Sequence, residues 1–418
     1  GKILNEKPEL KKDIKELAKE INQVIKKVNS LSLEELKAQL SKYEFEEKKE
    51  VKGFKELKHK GKVITRLAPE PSKYLHIGHA LVFIINSKYA EKYNGKCILR
   101  LEDTNPEKIT KEYVNALLQD LKWLKIKYNK KIICSNRLKI YYNYAEKLIK
   151  FGKAYVCFCS RAKIKELRHE KIRCNCYNKS INENLKYWKN MLNKKYKPGE
   201  TNLRLLGIMD SDNGVLRDPI IFRINYAKHY LHGNKYFVWP LYDFVNSIED
   251  GLEKITHVIR SKEFELRTEL QNLIKDYLNL AKQEVIEIGR FNIIGKTTKG
   301  REIRKLIEEK KVFGWDDPRL VTIKALRKRG FIPGSFHELA KEVGLSKAET
   351  NTDMRVLESI NRKLIDKKTK RYFVIFNAKK IKIKNTLKLK VKAPLHPTEK
   401  LGESTFNTYD ECYIQDNL

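Results

Sequence analysis

Apolar residues recur at helical spacing near the start of the chain, at Leu10, Ile14, Leu17, Ile21, Ile25 and Val28, then Leu33, Leu36 and Leu40. This predicts two amphipathic helices joined near Asn29-Ser30, a hairpin suited to packing or RNA contact rather than chemistry. The Lys/Glu-rich stretch Glu46 to Lys60 reads as a linker. From Val63 the pattern shortens: a β-branched strand breaks at Pro69 and Pro71, and a helix opens at His76 and ends near Asn94-Gly95. A strand from Cys97 to Leu101, a polar run Glu102 to Pro106 and a helix from Ile109 to Leu124 complete a β-α-β unit. An insertion follows, roughly 129–230, with a helix around Asn182 to Trp188 and strands near Leu203 to Leu206 and Ile220 to Ile224. The α/β pattern resumes with Lys235 to Phe244, a strand Ile255 to Arg260 and a helix from about Glu263 to Leu280. From about Lys370 the residues alternate, which predicts strands at Tyr372 to Asn377, Leu387 to Val391 and Cys412 to Ile414, with Pro394 to Pro397 between.

At 418 residues the chain has room for two to four domains. Hydrophobic residues make up 41%, with neither a membrane-length apolar run nor a signal peptide, so the expectation is a soluble, cytoplasmic protein without a membrane partner. The formal net charge of +35 favours a polyanionic partner, although lysine-rich codon bias would leave the same trace. Beginning with Gly and stopping in a strand-like pattern, the chain reads as part of a longer protein.

Three features narrow the chemistry. The helix opening at His76-Ile77-Gly78-His79 presents unpaired N–H groups and the positive end of its dipole, which makes an anion site. Both imidazoles can donate to phosphate from one side of the first turn, and Gly78 lets a flat ring approach the backbone, an arrangement suited to an adenine nucleotide. Glu102 and Arg66 each end a strand, where ligands of open parallel sheets bind. Of the seven cysteines, Cys157, Cys159, Cys174 and Cys176 form two CxC pairs, a set that can close a tetrahedral structural Zn²⁺ site; reduced surface thiols are the other reading.

His76 to His79 resembles the HIGH signature of the class I aminoacyl-tRNA synthetases, and Arg66-Leu-Ala-Pro-Glu-Pro-Ser72 and the ILRLEDTNP segment resemble their glutamyl/glutaminyl branch, archaeal type. WPLYDF, ITHVIR and WDDPRL continue the match, which covers roughly residues 60 to 400. The resemblance implies an α/β class I Rossmann-like catalytic fold, with halves 61–128 and 231–285 around an inserted acceptor-stem domain at 129–230. An N-terminal helical extension and linker, 1–60, would precede it. A KMSKS-like loop and helical stem-contact domain, 286–369, and the incomplete start of an all-β anticodon-binding barrel, 370–418, would follow.

The implied activity is ATP-dependent formation of glutamyl-adenylate and transfer of glutamate to the 3′ end of tRNA(Glu), with tRNA(Gln) open as a second acceptor, by a monomer. Catalysis would fall to His76, His79 and Lys299 with Mg²⁺ carried on ATP. Glu70, Pro71, Ser72, Gly78, Arg290, Phe291 and Thr298 would line the nucleotide site. Arg66, Glu102, Tyr242 and Arg260 would hold L-glutamate; a guanidinium at Arg260 matches a carboxylate and mismatches an amide. Lys324, Arg327, Lys328 and Arg329 would meet tRNA phosphates. Two departures stand out: Lys296-Thr-Thr-Lys299-Gly300 replaces KMSKS, with glycine where a basic residue is common, and Lys73 falls where the branch often has glycine. A glutaminyl-tRNA synthetase and a non-catalytic tRNA-binding paralogue are the rival readings.

Overall fold

The computed structural model describes residues 14–40, 53–57 and 61–415. The chain divides into two units, Gly1–Val51 and Lys52–Leu418. In the first, helices α1 (Ile14–Asn29) and α2 (Leu33–Leu40) follow the predicted periodicity, and Val24, Ile25, Leu33 and Leu40 of their apolar stripe are exposed. The predicted helical positions before Ile14, and Glu46 to Lys60 apart from 53–57, lie outside the described residues. The described part of that expected linker is not merely solvated. Phe54 stacks edge-on against Tyr89 at 5.4 Å, and Leu57 N–H donates to the Tyr93 hydroxyl at 2.6 Å.

The second unit is built on a parallel sheet. Strands β1 (Ile64–Leu67), β2 (Lys96–Leu101) and β3 (Lys130–Ile133) pair in that order, with helix α3 (Ile77–Lys92) crossing from β1 to β2 and α4 (Lys111–Trp123) from β2 to β3. Every residue of β2 after Lys96 is buried, as expected for a strand covered on both faces. The turn after α3 shows why glycine follows asparagine: Asn94 takes the left-handed conformation (φ 50°), while Gly95 leaves room for a Val63 carbonyl that a Cβ would meet at 1.8 Å.

The insertion has its own layers. After helix α5 (Leu138–Lys150) comes an antiparallel sheet of β4 (Ala154–Cys157), β5 (Asn202–Leu205), β6 (Ile220–Ile224) and β7 (Val238–Pro240), with helices α6 (Arg161–His169) and α7 (Ile181–Leu192) between β4 and β5. Strand β7 belongs to the segment read as the return of the nucleotide fold, yet it pairs with β6. Helix α8 (Tyr242–Leu252) carries the chain back to the parallel layer. There β8 (His257–Ser261) pairs with β9 (Glu284–Ile288) across helix α9 (Arg267–Leu278), and Thr256 N–H donates to the Ile64 carbonyl at 3.0 Å, setting β8 beside β1.

The helical segment shares the core of the parallel layer. After β10 (Phe291–Ile293), α10 (Gly300–Glu308), α11 (Ile323–Lys328) and α12 (Pro333–Val343), strand β11 (Thr350–Thr352) pairs with β10 and α13 (Met354–Ile365) follows. Val321, Ile323, Phe336 and Leu339 pack in one cluster with Val63, Ile77 and Ile84. Backbone bonds from Ile77 N to Val321 O (3.2 Å) and Ile323 N to Leu75 O (2.8 Å) bind it directly to the start of α3.

The C-terminal segment departs from the expected strands. Its described residues contain two antiparallel pairs, β13 (Lys390–Pro394) with β14 (Glu403–Asn407), lying in sequence between the strands of the other, β12 (Ala378–Lys382) with β15 (Glu411–Gln415). Cys412 to Ile414 lies in β15 as expected, and Leu387 to Val391 overlaps only the start of β13. Tyr372 to Asn377 forms no strand; Phe373 is 94% exposed, and alternation without a pairing partner does not make a strand.

Candidate active site

A cleft of about 920 Å³ opens at the carboxyl ends of β1, β2 and β8, where an open parallel sheet places its ligands. It is lined by Arg66, Glu70, Ser72, His76, Gly78, His79, Glu102, Tyr242, Arg260, Arg290, Phe291, Thr298 and Lys299, so residues from six separate motifs converge. Pro71 is buried beside the cleft and does not line it. Lys73, Thr104, Asn105, Arg223 and Glu263 line it too and were not singled out as ligand residues by their motifs.

One end of the cleft is the start of α3. His76 is its N-cap, and the two imidazoles lie against each other with centroids 3.7 Å apart and planes tilted by 30°. His76 N–H donates to His79 Nδ1 at 3.5 Å, which leaves the His79 proton on Nε2. A Cβ on Gly78 would come within 3.2 Å of the His76 ring, so the glycine seats that imidazole. Burial, followed by the positive charge of Lys73, pulls the His79 pKa down to about 3; burial, then His79, Lys73 and Arg290, holds His76 well below its usual value. Both rings are neutral donors at physiological pH, and His76 Nδ1 is buried without a hydrogen-bond partner.

Beyond the histidines lies the loop into α10. Lys299 caps that helix, and its ammonium pairs with Glu302 at 2.9 Å. Thr297 Oγ also donates to Glu302, while Thr298 is buried under the loop. Arg290 pairs with Glu263 at 3.0 Å.

The other end is a buried ionic network. Glu102 Oε1 accepts from Arg100 Nε (3.2 Å) and Nη2 (3.0 Å) and from Asn246 Nδ2 (2.8 Å). Arg100 Nη1 reaches Asp250 at 2.6 Å, and Arg66 Nε stands 3.6 Å from the same carboxylate. Burial raises Glu102 to about 6 against the pull of Arg100 and Arg66. Burial would also raise Asp250, but the two guanidiniums hold it below the usual carboxylate range. Arg260 donates to Gln271 Oε1 (2.8 Å), Thr268 Oγ1 (2.6 Å) and the Phe264 carbonyl (3.2 Å), leaving its Nε buried without a hydrogen bond; Arg66 Nε also has no hydrogen bond and is held by its ion pair with Asp250. Burial lowers the buried Lys275 ammonium behind them to about 8. Tyr242 packs against Phe264 with ring centroids 5.2 Å apart and planes tilted by 34°.

The neighbouring Asp103 fixes this end to the insertion. It accepts from Ser135 N–H (2.8 Å), Ser135 Oγ (2.7 Å) and the Tyr230 hydroxyl (3.0 Å). The sequence signal for the network was present in the i, i+2 spacing of Arg100, in β2, and Glu102, the first residue past its end, which keeps both side chains on one side of the extended chain. Its partners on α8, Asn246 and Asp250, carried no such signal.

The four cysteines of the CxC pairs do meet. Their sulfurs all lie within 4.8 Å of one another, with Cys157–Cys174 at 3.7 Å and Cys159–Cys176 at 3.9 Å. A regular tetrahedron with Zn–S of about 2.3 Å separates sulfurs by roughly 3.8 Å, so the donor set fits zinc. Arg204, fully buried, lies 3.3 Å from Cys174 Sγ and 3.8 Å from Cys157 Sγ, a cation suited to sulfurs bearing negative charge.

Lys324, Arg327, Lys328 and Arg329 form an exposed patch away from the cleft. Lys328 is 3.3 Å from Asp316 and Arg329 2.7 Å from Glu358, while Lys324 and Arg327 lie over Tyr74 and Trp123. Among the described residues no helix is long and apolar enough to cross a membrane.

The family described as tRNA synthetases class I (E and Q), catalytic domain, matches residues 62–367. A glutamate–tRNA ligase of Nitrosopumilus maritimus is 43% identical over 425 aligned residues, which cover 99% of this chain and 74% of that protein. Those of Pyrococcus abyssi (40%; 95% of this chain, 72% of the relative) and Methanocaldococcus jannaschii (37%; 99% and 75%) are similar. A crystal structure of a glutamate–tRNA synthetase from Elizabethkingia anophelis superposes with a TM-score of 0.53 at 20% identity, over 73% of this chain and 70% of that one, a likeness of fold. Cleft, motifs and relatives agree, and the chain belongs to the class I tRNA synthetases of the E and Q family.

Proposed function

We propose that this chain is a glutamate–tRNA ligase. An oxygen of the L-glutamate α-carboxylate attacks the α-phosphorus of ATP, forming glutamyl-adenylate and releasing pyrophosphate. A ribose hydroxyl at the 3′ end of tRNA(Glu) then attacks the acyl carbon, and AMP leaves. The observation that carries the reading is the polarity of one cleft: neutral histidine donors at a helix N-terminus at one end, and at the other the guanidiniums of Arg66 and Arg260 beside the Glu102 carboxylate. That second end suits a ligand bearing both an ammonium and carboxylates. The relatives' names support the same substrate.

In this reading His76 and His79 donate to the triphosphate, and Lys299 leaves Glu302 to meet charge developing on the phosphates, with Mg²⁺ arriving on ATP. Glu70, Ser72, Gly78, Arg290, Phe291 and Thr298 surround the nucleotide, with buried Pro71 shaping the turn. Glu102 takes the substrate ammonium, Tyr242 lines the pocket, and the guanidiniums of Arg66 and Arg260, both lining the cleft, receive the side-chain carboxylate. A glutamine amide would turn an NH₂ toward those donors.

Cys157, Cys159, Cys174 and Cys176 hold a structural Zn²⁺. The insertion receives the acceptor end, the 286–369 segment with Lys324, Arg327, Lys328 and Arg329 lies along the tRNA, and the 370–418 pairs begin an anticodon-binding barrel. A cytoplasmic monomer goes with this reading. The test is ATP–pyrophosphate exchange with glutamate or glutamine, with and without bulk tRNA. Exchange with glutamate and tRNA is expected; preference for glutamine, or tRNA binding without exchange, would replace the reading. Charging of purified tRNA(Glu) and tRNA(Gln) with the same protein decides the acceptor range.

A further inference from the structure

Lys73 and Gly300 are 227 positions apart in sequence and touch in the fold. A Cβ on Gly300 would meet Lys73 Cδ at 2.9 Å and Lys73 Cβ at 3.4 Å, so the lysine stem occupies the space a side chain at position 300 needs. The stem runs over the first residue of α10, and its ammonium lies 3.5 Å from the Thr298 carbonyl, inside the cleft. Three cations line this end of the cleft: Lys73, Arg290 and Lys299. Arg290 is paired with Glu263 and Lys299 with Glu302, and the Lys299 side chain is 64% exposed. Lys73 has no carboxylate within ion-pair distance among the described residues, and burial lowers its pKa below the usual lysine value. A partly buried ammonium with one carbonyl acceptor retains donors for an anion. Its charge is also felt by both cleft histidines, which sets it on their side of the site.

We propose that Lys73 is a further catalytic residue, binding a phosphate oxygen of the ATP triphosphate beside His76 and His79, and that Gly300 is the space which admits it. This rests on the reading of the cleft as an ATP site. Lys73 is free of a carboxylate partner among the described residues, whereas Lys299 must give up Glu302 to meet a phosphate.

The test is calorimetric binding of Mg-ATP and of adenosine to the full chain, with ATP–pyrophosphate exchange measured in parallel. Lys73→Met is expected to weaken ATP about tenfold or more while leaving the adenosine affinity as it was, and Lys73→Arg is expected to restore most of the loss. Gly300→Ala, which displaces the lysine stem, should weaken ATP when Lys73 is present and add nothing to Lys73→Ala. ATP affinity unchanged in Lys73→Met, or ATP and adenosine weakened equally, overturns the proposal. If the unmodified protein binds ATP but gives no glutamate-dependent exchange with tRNA present, the ligase reading falls, and the ATP-to-adenosine comparison still decides the role of Lys73.

Discussion

Arg260 Nη1 donates to Gln271 Oε1 at 2.8 Å, both side chains buried, so a residue of α9 aims the guanidinium that closes β8. Thr268 and the Phe264 carbonyl occupy Nη2, so the fork is held by the protein's own groups. Arg260→Ala is expected to raise KM for glutamate by about tenfold to a hundredfold, the worth of one charge-assisted interaction. Gln271→Leu should raise the same KM by less and leave KM for ATP unchanged. Steady-state exchange kinetics for both substrates check this; an unchanged glutamate KM in Arg260→Ala would remove Arg260 from the amino-acid site.

The Glu102 carboxyl titrates at about 6 because burial outweighs the pull of Arg100 and Arg66. Below that pH the group is protonated and no longer attracts an ammonium; above it, the charge is present. KM for glutamate should therefore rise as pH falls through about 6, and Glu102→Gln should abolish that dependence while raising KM at pH 7.5. A pH-independent KM between 5 and 7.5 would contradict the assignment.

His79 carries the opposite expectation. With its pKa near 3, the imidazole stays neutral across the working range and contributes no titration to the exchange rate at saturating substrates. His79→Ala is expected to lower that rate by about a hundredfold or more with a small effect on glutamate KM. An exchange rate that matches the unmodified protein would remove it from catalysis.

The sulfur cluster predicts one zinc per chain. Cys174→Ser should lose the metal by mass-spectrometric metal analysis and lower the melting temperature, because Arg204 then faces a partly dismantled anion. Chelation at neutral pH should do the same to the unmodified protein. Full-length protein without stoichiometric zinc and with an unshifted melting curve under chelator would leave four reduced thiols.

Much of this protein was legible along the chain. The helix at His76, Glu102 just past the end of β2, Arg260 near the end of β8 and the paired cysteines are local patterns, made of backbone periodicity and polar residues at or beside an element's end. Such residues land where the element's end lands, which is why motifs far apart in sequence arrive in one cleft. The tertiary structure alone decided the rest. Strand β7 joined the insertion's sheet because β6 offered it an edge, and Tyr372 to Asn377 formed no strand because nothing pairs with them. Asp250 and Asn246 became partners of Arg100 and Glu102 through the packing of α8, and Gln271 became the orienter of Arg260 through α9. Lys73 and Gly300 read separately as two departures from a motif; only side-chain volume in three dimensions makes them one feature. Periodicity and chain ends are fixed by neighbours in sequence, whereas edges, buried charge partners and shared space are set by whichever residues the fold brings alongside.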